Sequence, residues 1–114
     1  MAMLEKRQTY RTLIQQLLSR YASYKPSHGE IDIQTVFDTE QDHYQVVAVG
    51  WDGKERVYGC SVHLDIIDDK IWIQVNNTEW DIGRDLVAME IPREDIVIGF
   101  QPVYLRQYSG YAIA

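Results

Sequence analysis

The sequence predicts an α+β domain: an antiparallel β-sheet meander packed by an N-terminal amphipathic helix, with a second, shorter helix and an extended C-terminal tail. Three observations carry this. Apolar residues first recur at helical 3/4 spacing, the pattern changes to period two beyond Pro26, and tight-turn residues then separate successive alternating runs.

Met3, Tyr10, Leu13, Ile14, Leu17, Leu18 and Tyr21 fall on one stripe of a helix, whereas Arg7, Arg11, Gln15, Gln16 and Ser19 fall off it. Glu5 suits the positive end of the helix dipole, and Arg20 with Lys25 the negative end. Pro26 stops the helix near Tyr24, because the residue before a proline is pushed out of the α region. Ile31, Ile33 and Phe37 then alternate with Asp32, Gln34 and Asp38 in a first strand, and a second runs from about His43 to Gly50. Trp51-Asp52-Gly53-Lys54 reads as a three-residue hairpin turn. Its register sets Gly50 opposite Lys54, Val46 opposite Tyr58 and Tyr44 opposite Cys60.

Asp68-Asp69 makes the next tight turn, pairing Ile67 with Lys70, Ile66 with Ile71, Leu64 with Ile73 and Val62 with Val75. The four strands give one strongly apolar face, running from Ile31 and Ile33 through Tyr44, Tyr58, Cys60 and Leu64 to Ile73, against which the first helix packs. Thr78 is the expected cap of the second helix, with Ile82, Gly83, Leu86, Val87 and Met89 as its buried side. Gly83 costs that helix about 1 kcal/mol against Ala, which argues for close packing there. Pro92 ends it, residues 92–95 form a single turn, Ile96 to Phe100 a short buried strand, and residues 101–114 an extended tail carrying Tyr104, Tyr108 and Tyr111.

A chain of 114 residues and 13.3 kDa holds one domain, 1–114, and 46% hydrophobic residues suffice for one core. The lone Cys60 cannot form an internal disulfide, so a cytoplasmic, reducing location is expected. No stretch has the length of a membrane span or the order of a signal peptide, and no membrane association is expected. Residues 1–25 hold five basic groups against Glu5 alone, a local +4, which leaves −10 for the remainder of the −6 total. An acidic body repels phosphate, so direct nucleic-acid binding is disfavoured and a basic protein partner fits better. The alternative is a DNA-contacting factor that uses Arg7 and Arg11 of the basic first helix.

No catalytic constellation emerges. His28, His43 and His63 come from a loop and two strands without helical i, i+4 spacing, although His63 and Asp65, two residues apart on one strand face, suit a surface pair. Neither histidine nor carboxylate spacing supplies a first shell of metal ligands, so no metal, no other cofactor and no enzymatic activity are expected. Cys60 on the core side reads as packing. The second sheet face, with Val47, Val49, Trp51, Val57 and Trp72, is too apolar to leave in water. Either the second helix and the tail cover it in cis, or it is an interface for a partner or a second copy of the chain. Trp51, Trp72, Tyr104, Tyr108 and Tyr111 are the candidate interface anchors.

Several stretches together carry a family resemblance: Tyr21-Ala-Ser-Tyr-Lys-Pro-Ser27, Phe37-Asp-Thr-Glu-Gln-Asp-His-Tyr44, Val49-Gly-Trp-Asp52, Arg56-Val-Tyr-Gly-Cys60, Lys70-Ile-Trp-Ile-Gln74, Asn77-Thr-Glu79, Ile91 to Phe100 and Arg106-Gln-Tyr108. In this order they resemble the XisI family, the fdxN-element excision controlling factors of cyanobacteria. Asp68-Asp69 departs from the Asp/Asn-Gly turn expected at that place, and Asn76-Asn77 from a second one. The resemblance implies a regulatory accessory protein in programmed DNA excision, a site-specific recombination in which a separate recombinase exchanges strands. It also implies an XisH-like companion protein, and it transfers no catalytic residue.

Overall fold

The computed structural model describes residues 3–26 and 28–114; Ser27 of the family-like stretch and the side chains of Met3 and Leu4 lie outside it. Helix α1 (Met3–Ala22) is followed by strands β1 (Glu30–Asp38), β2 (His43–Asp52), β3 (Glu55–Ile67) and β4 (Lys70–Asn76). Helix α2 (Ile82–Ala88), a 3-10 turn (Arg93–Asp95), strand β5 (Ile96–Ile98) and helix α3 (Val103–Arg106) complete the chain. The sheet order is β1-β2-β3-β4-β5. The first four strands form the expected antiparallel meander, and β5 adds a fifth strand parallel to β4, because the α2 crossover returns the chain in the same direction.

The apolar stripe of α1 is the centre of the core. Tyr10, Ile14, Leu17, Leu18 and Tyr21 are buried against Tyr44, Val46, Val62, Leu64, Ile71 and Ile73 of the sheet. Each fully buried Leu or Ile contributes about 1.5–3 kcal/mol of transfer free energy before chain ordering is set against it. Ile82 and Leu86 of α2, with Ile91 and Ile96, extend the same cluster, so both helices lie on one sheet face, hereafter the inner face.

Two bulges correct the expected register. The β2–β3 hairpin closes at Asp52 and Glu55, so its loop is the two residues Gly53-Lys54, with Gly53 at φ 61°. Val49 lies opposite Tyr58 and Val47 opposite Cys60, but Val46 lies opposite Val62, which leaves Ser61 as the extra residue of a bulge. One inserted residue exchanges the faces, so Tyr58 and Cys60 point outward and Val57 faces inward, the reverse of the expected arrangement. Tyr58 is accordingly 74% exposed. The Asp68-Asp69 turn pairs Ile67 with Lys70, Ile66 with Ile71 and Leu64 with Ile73 as expected, but a second bulge sets Val62 opposite Asn76 instead of Val75. Asp68 (φ 51°) and Asp69 (φ 61°) both occupy the left-handed region, which aspartate tolerates better than most residues.

Asp81, not Thr78, caps α2: its side chain accepts from the Arg84 N–H. Thr78 is held in the preceding loop, where its N–H and hydroxyl donate to Asn76 Oδ1 and its oxygen accepts from the Trp80 N–H. That loop stacks Trp80 on Tyr21, with ring centroids 4.1 Å apart. The tail is not extended throughout. It forms α3, and Ala112 then makes a parallel bridge to Val97. Gly83 does permit close packing, since a Cβ there would lie 2.6 Å from the Tyr111 hydroxyl oxygen.

A Cβ on Gly50 would overlap the Glu30 carbonyl oxygen and lie 2.7 Å from the Ile31 Cα, whereas one on Gly59 meets nothing within 4 Å. Gly50→Val is therefore expected to force β1 from β2 and cost about 3 kcal/mol, with Gly59→Ala within about 1 kcal/mol of wild type. Urea unfolding of the two variants checks this; equal midpoints would contradict the packing argument.

Candidate functional site

The basic first helix turns out to be charge-matched to aspartates of two sheet turns, the 3-10 turn and α2. Lys6 Nζ lies 2.7 Å from Asp95, Arg7 Nε 3.0 Å from Asp69, and Arg20 3.9 Å from Asp85. Arg11 makes a two-pronged pair with Asp42, Nε to Oδ1 at 2.7 Å and Nη2 to Oδ2 at 3.0 Å. Arg7 and Arg11, the candidate nucleic-acid contacts, are thus engaged with aspartates of two sheet turns. The departure at Asp68-Asp69 gains a reason here, because a glycine at position 69 would leave Arg7 without its carboxylate.

Burial of Asp42 favours its neutral form, but hydrogen bonds from Arg11 and Tyr44 and the guanidinium charges of Arg11 and Arg7 outweigh this and hold the carboxyl below its ordinary range. Tyr10, Tyr21 and Tyr44 are buried and donate to Asp95, Asp85 and Asp42, and for each the phenol pKa is raised, by desolvation first and by the carboxylate second. These hydroxyls stay protonated and act as fixed donors.

The outer face divides in two. At the β4–β5 end the tail covers Trp72: the Arg106 guanidinium lies 5.2 Å from its ring centroid, and Arg106 donates to the Gln101 and Gly99 carbonyls. Tyr111 is also engaged in cis, against Gly83 and beneath Arg93. Trp72 and Tyr111 are therefore internal packing residues and not open anchors. The second helix contributes no cover, since it lies on the inner face. Trp51, Tyr104 and Tyr108 remain exposed, at 51%, 69% and 78%, and the tail adds Phe100 and Val103 at 54% and 64%. Cys60 sits half-buried on the outer face, and burial pushes its thiol pKa up, so it is a poor nucleophile.

Between these halves the outer face gathers His43, His63 and Asp65. His63 Nε2 lies 2.6 Å and His43 Nδ1 2.7 Å from the same oxygen, Asp65 Oδ1. Gln74 donates to Asp65 Oδ2 at 3.2 Å, and Gln45 Nε2 lies 3.3 Å from the other ring nitrogen of His63. The His63–Asp65 pair was legible from spacing. His43 was not, because the expected register set it opposite Ser61; closure of the hairpin at Asp52 and Glu55 shifts its partner by three residues and the bulge at Ser61 by one more, to Asp65. The Asp65 hydrogen bond raises the His43 pKa against a smaller desolvation effect. His28 lies apart and exposed.

Two helices on one face of a five-stranded mixed sheet, an aromatic outer surface and a buried polar cluster define a small α+β domain with an open sheet face. The chain belongs to the XisI family, whose model, described as XisI protein, matches residues 4–113. It is similar to the crystal structure of a XisI-like protein from Anabaena variabilis ATCC 29413, at 45% identity over 95% of this chain and 99% of that one, with a TM-score of 0.88. It is also similar to the fdxN element excision controlling factor XisI from the same organism, at 31% identity over 96% and 99% of the two chains, with a TM-score of 0.79. No curated protein matches the chain. Among the described residues no helix is long and apolar enough to cross a membrane.

Proposed function

We propose that this protein is a non-enzymatic controlling factor of DNA-element excision that works by binding a companion protein of the XisH kind. The observation that carries the role is the similarity along nearly the whole chain to a structure described as the fdxN element excision controlling factor. The pairing of Arg7 and Arg11 with Asp69 and Asp42 supports a protein partner over DNA, since those guanidiniums are already matched. Exposed Trp51, Tyr104 and Tyr108 supply anchors of the kind that carry affinity, while the net charge of −6 steers a basic partner and raises the on-rate.

Trp51→Ala, or Tyr104→Ala with Tyr108→Ala, is expected to speed dissociation from an XisH-like protein at least about tenfold, a loss of about 1.4 kcal/mol. Raising salt from about 0.05 to 0.5 M is expected to slow association, because the Debye length falls to roughly 4 Å. Surface-binding kinetics on variants shown folded by circular dichroism read both. Unchanged kinetics, together with salt-sensitive retention of bare DNA that Arg7→Ala and Arg11→Ala abolish, would replace this reading with the DNA-contacting one.

A further inference from the structure

Four aspartates are buried among the described residues: Asp42, Asp65, Asp69 and Asp95. Three of them face a permanent cation of α1, namely Arg11, Arg7 and Lys6. Asp65, 8% exposed, faces only the two imidazoles and the Gln74 amide. A buried carboxylate is ordinarily paired with a cation or coordinates a metal, and two imidazoles beside one carboxylate are ligands of the borderline divalent ions.

We propose that His43 Nδ1, His63 Nε2 and Asp65 form a binding site for a divalent transition-metal ion of the zinc class on the outer sheet face. All three ligand groups lie within 4.8 Å of one another. Tetrahedral bonds of about 2.0–2.1 Å set ligand atoms roughly 3.3 Å apart, so the present 2.6 and 2.7 Å contacts need open by less than about 1 Å. The His43 Nδ1 proton moves to Nε2 on its solvent side, and the His63 Nε2 proton moves to Nδ1, where a half-turn of the Gln45 amide presents Oε1 to accept it. Gln45 and Gln74 then orient His63 and Asp65 from behind, as the groups supporting metal ligands do. His43 has a side chain 51% exposed, so the site opens to solvent on that side and leaves a coordination position for water or for a group of another molecule. Spacing along the chain does not supply these ligands; the paired strands β2 and β3 do, by placing His43 opposite Asp65.

The experiment is calorimetric titration of ZnCl2 into the full chain after treatment with a chelator, with melting temperature followed in parallel. One ion per chain is expected, with a rise in melting temperature, since a ligand that binds only the native state stabilises it. His43→Ala, at a half-exposed position that leaves folding intact, and Asp65→Asn are expected to weaken binding at least about tenfold and to remove the thermal shift. His28→Ala is expected to change neither. Absence of saturable binding, several weak sites per chain, or full affinity retained by folded His43→Ala and His63→Ala would overturn the assignment. The result is independent of the excision reading, which the kinetics with the XisH-like protein test separately.

Discussion

Leu64→Asp is expected to leave the protein without a cooperative unfolding transition. Leu64 is fully buried, lies opposite Tyr44 on β2 and Ile73 on β4, and belongs to the core cluster under α1. Removing a buried leucine side chain costs about 2–5 kcal/mol, and an unpaired carboxylate in its place adds several more. Together these equal the whole stability of an ordinary domain, about 5–15 kcal/mol. His63→Ala, one residue away on the outer face, removes one donor from Asp65 and leaves His43 and Gln74, so it is expected to cost about 1–2 kcal/mol. Thermal and urea melts followed by circular dichroism separate the two. A Leu64→Asp protein that melts cooperatively within a few degrees of wild type would contradict the assignment of Leu64 to the inner face.

Asp42→Ala is expected to cost about 3–5 kcal/mol at neutral pH, because it strands the Arg11 guanidinium and leaves the hydroxyl of the fully buried Tyr44 without its acceptor. Asp42→Asn keeps the shape and removes the charge, which isolates the pH dependence. The folded-state pKa of Asp42 lies below its ordinary 3.8. Such a group contributes stability fully above the unfolded-state value and loses it as pH falls through the folded-state value. The stability gap between wild type and Asp42→Asn should therefore be complete at pH 7 and close as the pH falls below the ordinary carboxyl range. A gap that persists unchanged in acid would show that the Arg11–Asp42 charge pairing is not its source.

Helix α1 was legible because seven apolar residues at 3/4 spacing admit one stripe, and the tyrosines on it proved to be donors to Asp95 and Asp85 as well as core. The Asp68-Asp69 hairpin was legible because three apolar pairs agreed on one register, two of which the sheet keeps. The second helix ends at Ala88, before Pro92, with Glu90 in the left-handed region at φ 70°, so that only the tight fit at Gly83 followed from residue type alone. The start of the helix did not, since Thr78 and Asp81 are both competent caps and the choice fell to the Asn76–Thr78 loop that stacks Trp80 on Tyr21.

What the sequence by itself determined, then, is the order of elements as far as β5, the inner stripe of α1 and the core strands at Tyr44, Leu64 and Ile73, because these rest on periodicities that local geometry imposes. Tertiary structure alone decided which way residues 55–60 face, what Arg7 and Arg11 touch, and that His43 meets Asp65. A bulge adds one residue with no composition of its own, yet it exchanges the two faces of every residue beyond it. A charge pair between a helix and a distant turn likewise has no sequence period, since Arg7 and Asp69 come together only when the apolar stripe has already seated α1 on the sheet.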